Sequence, residues 1–156
     1  MLLTLKVMAS QYWPLCAASN LISRKAGAKR AAHHEAEHAV SKTLFILNDP
    51  PYGSERSYNA LRLASMLARA EGEEVRLFLL GDAASCAKSG QKVPQGFYNI
   101  ELMLDRVAAT EALVGVCGTC MDARGIENGE LAGGAHRSSM EELDRWTQWA
   151  DKVLVF

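Results

Sequence analysis

Cys117 and Cys120 stand directly after the apolar run Leu113-Val114-Gly115-Val116, in the order Cys-Gly-Thr-Cys. A strand that ends in a thiol pair puts sulfur at the C-terminal edge of a sheet, where open α/β folds collect ligands and chemistry. Asp122 and Arg124 follow in the next turn. A nearby cation lowers the pKa of a thiol, and the thiolate is the reactive form. This spacing therefore points to redox or sulfur-transfer chemistry at Cys117 and Cys120, with Arg124 and Asp122 as candidates to support the thiolate. Two other readings stay open. Free cysteines are often small buried hydrophobes, and a CxxC pair can hold a metal if two further ligands reach it. Cys16, Cys86, His136 and the group His33, His34 and His38 are the available ligands, and none has paired zinc spacing. No metal is expected.

Two further segments should reach the same sheet edge. Asp49-Pro-Pro-Tyr-Gly-Ser-Glu55 follows an apolar run. It can form a site wall of Tyr52, Gly53 and Ser54, with Tyr52 as a lid and the Ser54 N–H groups as an anion cradle; it can equally be a rigid turn before a capped helix. Cys86 follows the second apolar run and is either a third participant or a structural thiol. The chain carries no GxGxxG and no phosphate loop, so a nucleotide is not indicated.

The elements that must position these residues follow from the periodicity. Thr43–Leu47, Val75–Leu80 and Leu113–Val116 are short continuous apolar runs, as strands buried on both faces require. Between the first two, Ala60, Leu63, Ala64, Leu67 and Ala68 recur at helical spacing, with Ser54 placed to cap the helix and Gly72 to close it. Leu61 and Met66 lie off that stripe and predict a second apolar side. Asn99 can cap a helix in which Ile100, Met103, Leu104, Val107 and Ala108 fit one face. A short strand is expected within 131–135. Ser138 and Ser139 each precede a glutamate by three residues, which is the capping-box pattern. Leu143, Trp146, Thr147 and Ala150 form the stripe of the last helix, and Val153–Phe156 reads as a final strand. Strands alternating with helices predict an α/β fold with right-handed crossovers and a mostly parallel sheet of about five strands.

Composition sets the outer bounds. The 156 residues suit one domain, and 49% apolar with 22% charged residues supply a core without staples. A net charge of −1 gives no electrostatic basis for nucleic acid or an anionic membrane. Four cysteines do not describe a disulfide framework, and no apolar window is long enough to span a bilayer. Residues 1–34 contain no Asp or Glu but carry Lys6, Arg24, Lys25, Lys29 and Arg30. Residues 1–41 are accordingly expected to be an extension, disordered or partly helical, outside a domain spanning 42–156. A presequence and an upstream start codon are both compatible with it.

The segment from Lys42 to Phe156 resembles the YchN-like proteins of the DsrE/DsrF sulfur-relay superfamily, which is related to TusBCD. The resemblance rests on Pro51-Tyr-Gly-Ser-Glu55, Asn59-Ala-Leu-Arg-Leu-Ala64, Arg76-Leu-Phe-Leu79, Gly90-Gln-Lys92, Gly96-Phe-Tyr-Asn-Ile100, Cys117-Gly-Thr-Cys-Met-Asp-Ala-Arg-Gly-Ile126 and Ala150-Asp-Lys-Val-Leu-Val-Phe156. It implies a three-layer α/β/α fold with a parallel five-stranded sheet, assembled as trimers or hexamers. It further implies sulfur carried as a cysteine persulfide and passed to a partner thiol. Cys117 occupies the place of the sulfur-carrying cysteine, with Arg124-Gly125 at the matching distance. Cys120 is typical of the YchN branch and supplies a second, resolving thiol.

The resulting expectation is a cytoplasmic sulfur carrier with protein sulfur donors and acceptor thiols as partners, no organic cofactor, no membrane and no direct nucleic-acid contact. A thiol–disulfide oxidoreductase using the same pair, and an oligomeric scaffold with incidental cysteines, are the alternatives.

Overall fold

A computed structural model describes residues 40–156; residues 1–39 of the expected extension, with Cys16, His33, His34 and His38, lie outside the described residues, and Ser41, its expected last residue, already belongs to the first strand. Five strands form one sheet in the order β4-β3-β2-β1-β5: β1 (Ser41–Leu47), β2 (Glu73–Leu79), β3 (Leu113–Cys117), β4 (His136–Ser138) and β5 (Lys152–Val155). Every pairing is parallel. The helices are α1 (Arg56–Leu67), α2 (Ile100–Ala108), α3 (Gly118–Asp122) and α4 (Met140–Trp149), with a 3₁₀ segment at Gly81–Ala87.

Strand alternation divides the core into two layers. Phe45, Leu47, Leu77, Leu79, Val114 and Val116 point to one face, where Ala60, Leu61 and Ala64 of α1 and Ile100, Leu104 and Val107 of α2 cover them. Leu44, Phe78 and Cys117 point to the other face and meet Leu143 and Trp146 of α4. This is the expected three-layer α/β/α architecture. Burial on both faces explains why the central strands read as unbroken apolar runs.

The helix boundaries follow local chemistry. The Asn99 side chain accepts the Leu102 N–H at 3.1 Å and starts α2 as expected. At α1 the expected cap shifts by one residue. The helix begins at Arg56 with Glu55 at the cap position; the Ser54 hydroxyl donates to Asp49 at 2.7 Å, and its oxygen accepts the Arg56 N–H only at 3.5 Å. α1 also stops at Leu67, well before Gly72. Gly72 instead takes φ +76° in the turn into β2, and its carbonyl accepts the Ser41 N–H at 2.8 Å. Leu61 proves to be fully buried core, whereas Met66 stays 70% exposed.

The fourth strand differs most from expectation. It is His136–Ser138, not 131–135. Gly133 and Gly134 both adopt positive φ, which turns the chain where the apolar residues lie, and Leu131 makes only an isolated bridge to Lys88. The strand that then forms is a polar edge strand, and only Ser138 in it is buried. Ser138 is part of this strand and donates to Glu142, while Ser139 takes the cap position of α4 without a side-chain cap bond. In α4 itself Leu143 and Trp146 are buried and Thr147 is exposed.

Candidate functional site

Cys117 is the last residue of β3 and the cap residue of α3, so the sharp strand-to-helix turn fixes its side chain at the sheet edge. It is 3% exposed. Its Sγ lies 3.2 Å from the Thr119 hydroxyl. Cys120 follows on α3, half-buried, and its Sγ accepts the Gly81 N–H at 3.2 Å from the end of the neighbouring strand β2. Both thiols are free.

The two thiols differ in proton affinity. Burial pushes the Cys117 thiol up, but the Thr119 hydroxyl, the Cys120 thiol and the backbone N–H groups of Cys120 and Thr119 all favour its thiolate, and the net direction is downward. Burial also pushes Cys120 up. There the hydrogen bond to Cys117 and the negative charge on Cys117 act in the same direction and outweigh the Gly81 N–H and the Arg124 charge. Cys117 therefore ionises first, and Cys120 keeps its proton and donates it toward the Cys117 sulfur.

Arg124 and Asp122 both belong to this corner, in different ways. Arg124 donates to the Cys120 carbonyl at 3.0 Å and pairs with Asp82, so it braces α3 against the loop after β2. Asp122 forms a two-pronged pair with Arg137 of β4, at 2.8 and 2.6 Å. The Arg137 hydrogen bonds hold the Asp122 carboxyl below the usual carboxylate range.

The remaining candidates form a second cluster around the loop after β1. Ser54 bonds Asp49; the Tyr52 hydroxyl donates to Gln91 at 2.7 Å and lies 3.4 Å from the Ile100 N–H; Gly53 takes φ +105° in the turn. Cys86 is fully buried with its thiol directed at the Asp49 carbonyl, 3.7 Å away, and burial pushes it up to about 12. Such a thiol is inert at neutral pH. The bonds of Tyr52, Ser54 and Cys86 run to Asp49, Gln91 and α2, and not to the Cys117–Cys120 pair.

Four participants do not follow from the sequence alone. Thr119 sits inside the motif, and its hydroxyl two residues after a cysteine was a usable signal. Gly81 and Asp82 open the 3₁₀ segment that follows β2, the strand beside β3, and parallel pairing would have placed them here. Arg137 gave no signal, because the strand that carries it is polar and short. Among the described residues, no helix is long and apolar enough to cross a membrane.

Residues 41–156 match the model of the DsrE/DsrF-like family. The chain is 42% identical over 118 residues to the protein YchN of Escherichia coli K12, a match that covers 75% of this chain and all of YchN. It is 36% identical over 111 residues to the protein MK0008 of Methanopyrus kandleri, covering 71% of this chain and 90% of the relative. The crystal structure of the E. coli YchN protein superposes with a TM-score of 0.70 at 43% identity, covering 74% of this chain and 99% of that one.

Proposed function

The chain belongs to the DsrE/DsrF-like family, and from that premise we propose that it is a sulfur carrier that holds sulfane sulfur as a persulfide on Cys117. The observation that carries this reading is the asymmetric thiol pair. Cys117 is favoured as thiolate by four hydrogen-bonding groups, and Cys120 beside it stays protonated.

Loading is a displacement at sulfur. The Cys117 thiolate attacks the outer sulfur of a donor persulfide, R–S–SH. The donor S–S bond breaks, R–S⁻ leaves, and Cys117–S–SH forms. An acceptor thiolate can remove the outer sulfur in the same way, which returns Cys117 to the thiolate. Cys120 offers a second exit. Once deprotonated, it attacks the inner sulfur and expels HS⁻, leaving a Cys117–Cys120 disulfide that an external dithiol must reduce. Its raised proton affinity holds this exit back while the site is at rest. The donor is a protein persulfide and the acceptor a protein thiol, and the working form is a homo-oligomer, a trimer or hexamer, in the cytoplasm.

Intact-mass and peptide-level mass spectrometry after incubation with a persulfide donor tests this reading. One added sulfur on Cys117 is expected in the parent and in Cys120→Ser, where it should persist longer, and none in Cys117→Ser. Loading that is indifferent to Cys117→Ser overturns the assignment. The hydrogen bond between the two thiols also suits a thiol–disulfide oxidoreductase; that reading predicts loss of two hydrogens and no sulfur adduct.

A further inference from the structure

Arg137 is the one site residue contributed by β4, and its placement is specific. It pairs in register with Val116, one residue before the reactive cysteine. Its guanidinium lies flat against Gly118: a Cβ there would sit 2.8 Å from Nε and 3.0 Å from Cζ and Nη2. The second position of the Cys-Gly-Thr-Cys motif is thus occupied by an arginine from the adjacent strand, which requires the missing side chain. Asp122 then clamps the guanidinium from the end of α3.

We propose that Arg137, seated on Gly118 and held by Asp122, is the cation that stabilises the anionic sulfur of Cys117. This rests on the reading above only in taking Cys117 as the reacting sulfur. Arg124, the cation expected from the motif, is committed to Asp82 and the Cys120 carbonyl on the opposite side of the turn. Asp122 does not cancel the Arg137 charge at the site. The guanidinium is the less exposed partner, 38% against 61%, and it is the end that rests on the Cys117–Gly118 turn, so solvent screens the carboxylate more. Seen from Arg137, the Asp122 hydrogen bonds, against desolvation, and the Asp122 charge hold the guanidinium protonated, and the negative charge on Cys117 adds a smaller contribution in the same direction. A persulfide on Cys117 carries its charge one sulfur further from the Thr119 and Cys120 donors. A cation outside that inner ring serves both forms.

The test is iodoacetamide labelling of Cys117 in the full chain, followed across pH by peptide mass spectrometry, for the parent, Arg137→Gln and Arg137→Lys. Arg137→Gln should move the labelling midpoint up by about one pH unit, an approximately tenfold slower reaction below the midpoint, and Arg137→Lys should restore most of it. Raising the salt concentration should move the parent midpoint upward but not that of Arg137→Gln, where the only charge left at this position is the unpaired Asp122 carboxylate, whose screening acts in the opposite direction. In Cys120→Ser loaded with sulfur, Arg137→Gln should shorten persulfide lifetime. An Arg137→Gln midpoint equal to that of the parent overturns the inference, as does an upward salt response that survives in Arg137→Gln. Labelling uses no sulfur donor, so a parent that shifts with Arg137 but never loads sulfur would defeat the carrier reading and leave Arg137 standing.

Discussion

Cys86 and Cys117 are both almost fully buried, yet their protons are held with opposite strength. Cys86 sees apolar walls, a carbonyl oxygen and the Asp49 charge, and burial outweighs the one Ser57 hydroxyl that favours its thiolate. Cys117 sees a hydroxyl, a second thiol and two backbone N–H groups. The difference has a pH signature. The folded Cys86 pKa is raised, from 9.0 to about 12, so its neutral form contributes stability that is complete below about pH 9 and falls as pH rises toward about 12. Each pH unit in that window should cost about 1.4 kcal/mol. Chemical denaturation across the window should therefore show a steeper pH slope for the parent than for Cys86→Ala; equal slopes would refute it. At neutral pH, labelling should mark Cys117 ahead of Cys120, and leave Cys86 unmodified until the chain unfolds. Thr119→Ala removes a donor to Cys117 and should shift its labelling midpoint upward without changing the order of the two thiols.

At the scale of elements, the site depends on how closely β3, β4 and α4 approach. Gly115 makes that approach possible. A Cβ on it would sit 3.1 Å from the Trp146 ring and 3.2 Å from Ser138. Gly115→Ala should therefore cost about 1–3 kcal/mol through overpacking, measured by urea denaturation, and should slow Cys117 loading because the same strand carries that residue two positions on. Asn99→Ala removes the cap of α2 at a cost of about 1 kcal/mol while leaving thiol reactivity unchanged, because α2 packs on the other face of the sheet. A substantial loss of reactivity in Asn99→Ala would show that the two layers are coupled.

At the scale of the molecule, several large apolar side chains remain uncovered. Leu63 and Met66 of α1, Leu102 of α2 and Phe97 before it are 41–70% exposed, and Val153 and Val155 leave the edge strand β5 partly apolar. Such surfaces commonly mark interfaces, and closed symmetry is the usual way to cover them. Light scattering should give a mass several times that of one chain at micromolar concentration. Met66→Glu should lower it if the α1 face is the contact. A monomer across that range would leave the apolar faces without an explanation.

The α/β class, the three central strands, the cap of α2 and the thiol pair were legible in the sequence because each rests on local information: unbroken apolar runs, an Asn before a helical stripe, two cysteines after a strand. The family motifs are equally local. What the sequence did not show depends on neighbours distant in the chain. Leu61 read as surplus apolar surface because helical spacing alone cannot say how wide a face a sheet and a second helix will cover. β4 was misplaced because its residues are polar, and a polar segment becomes a strand only when β3 offers an edge to pair with. That pairing brings Arg137 onto Gly118, and parallel pairing of β2 with β3 brings the Gly81 N–H to Cys120. The sequence determined which atoms could react. Tertiary structure decided which thiol gives up its proton first, because proton affinity is set by the burial and the hydrogen-bond donors that the fold assembles around each sulfur.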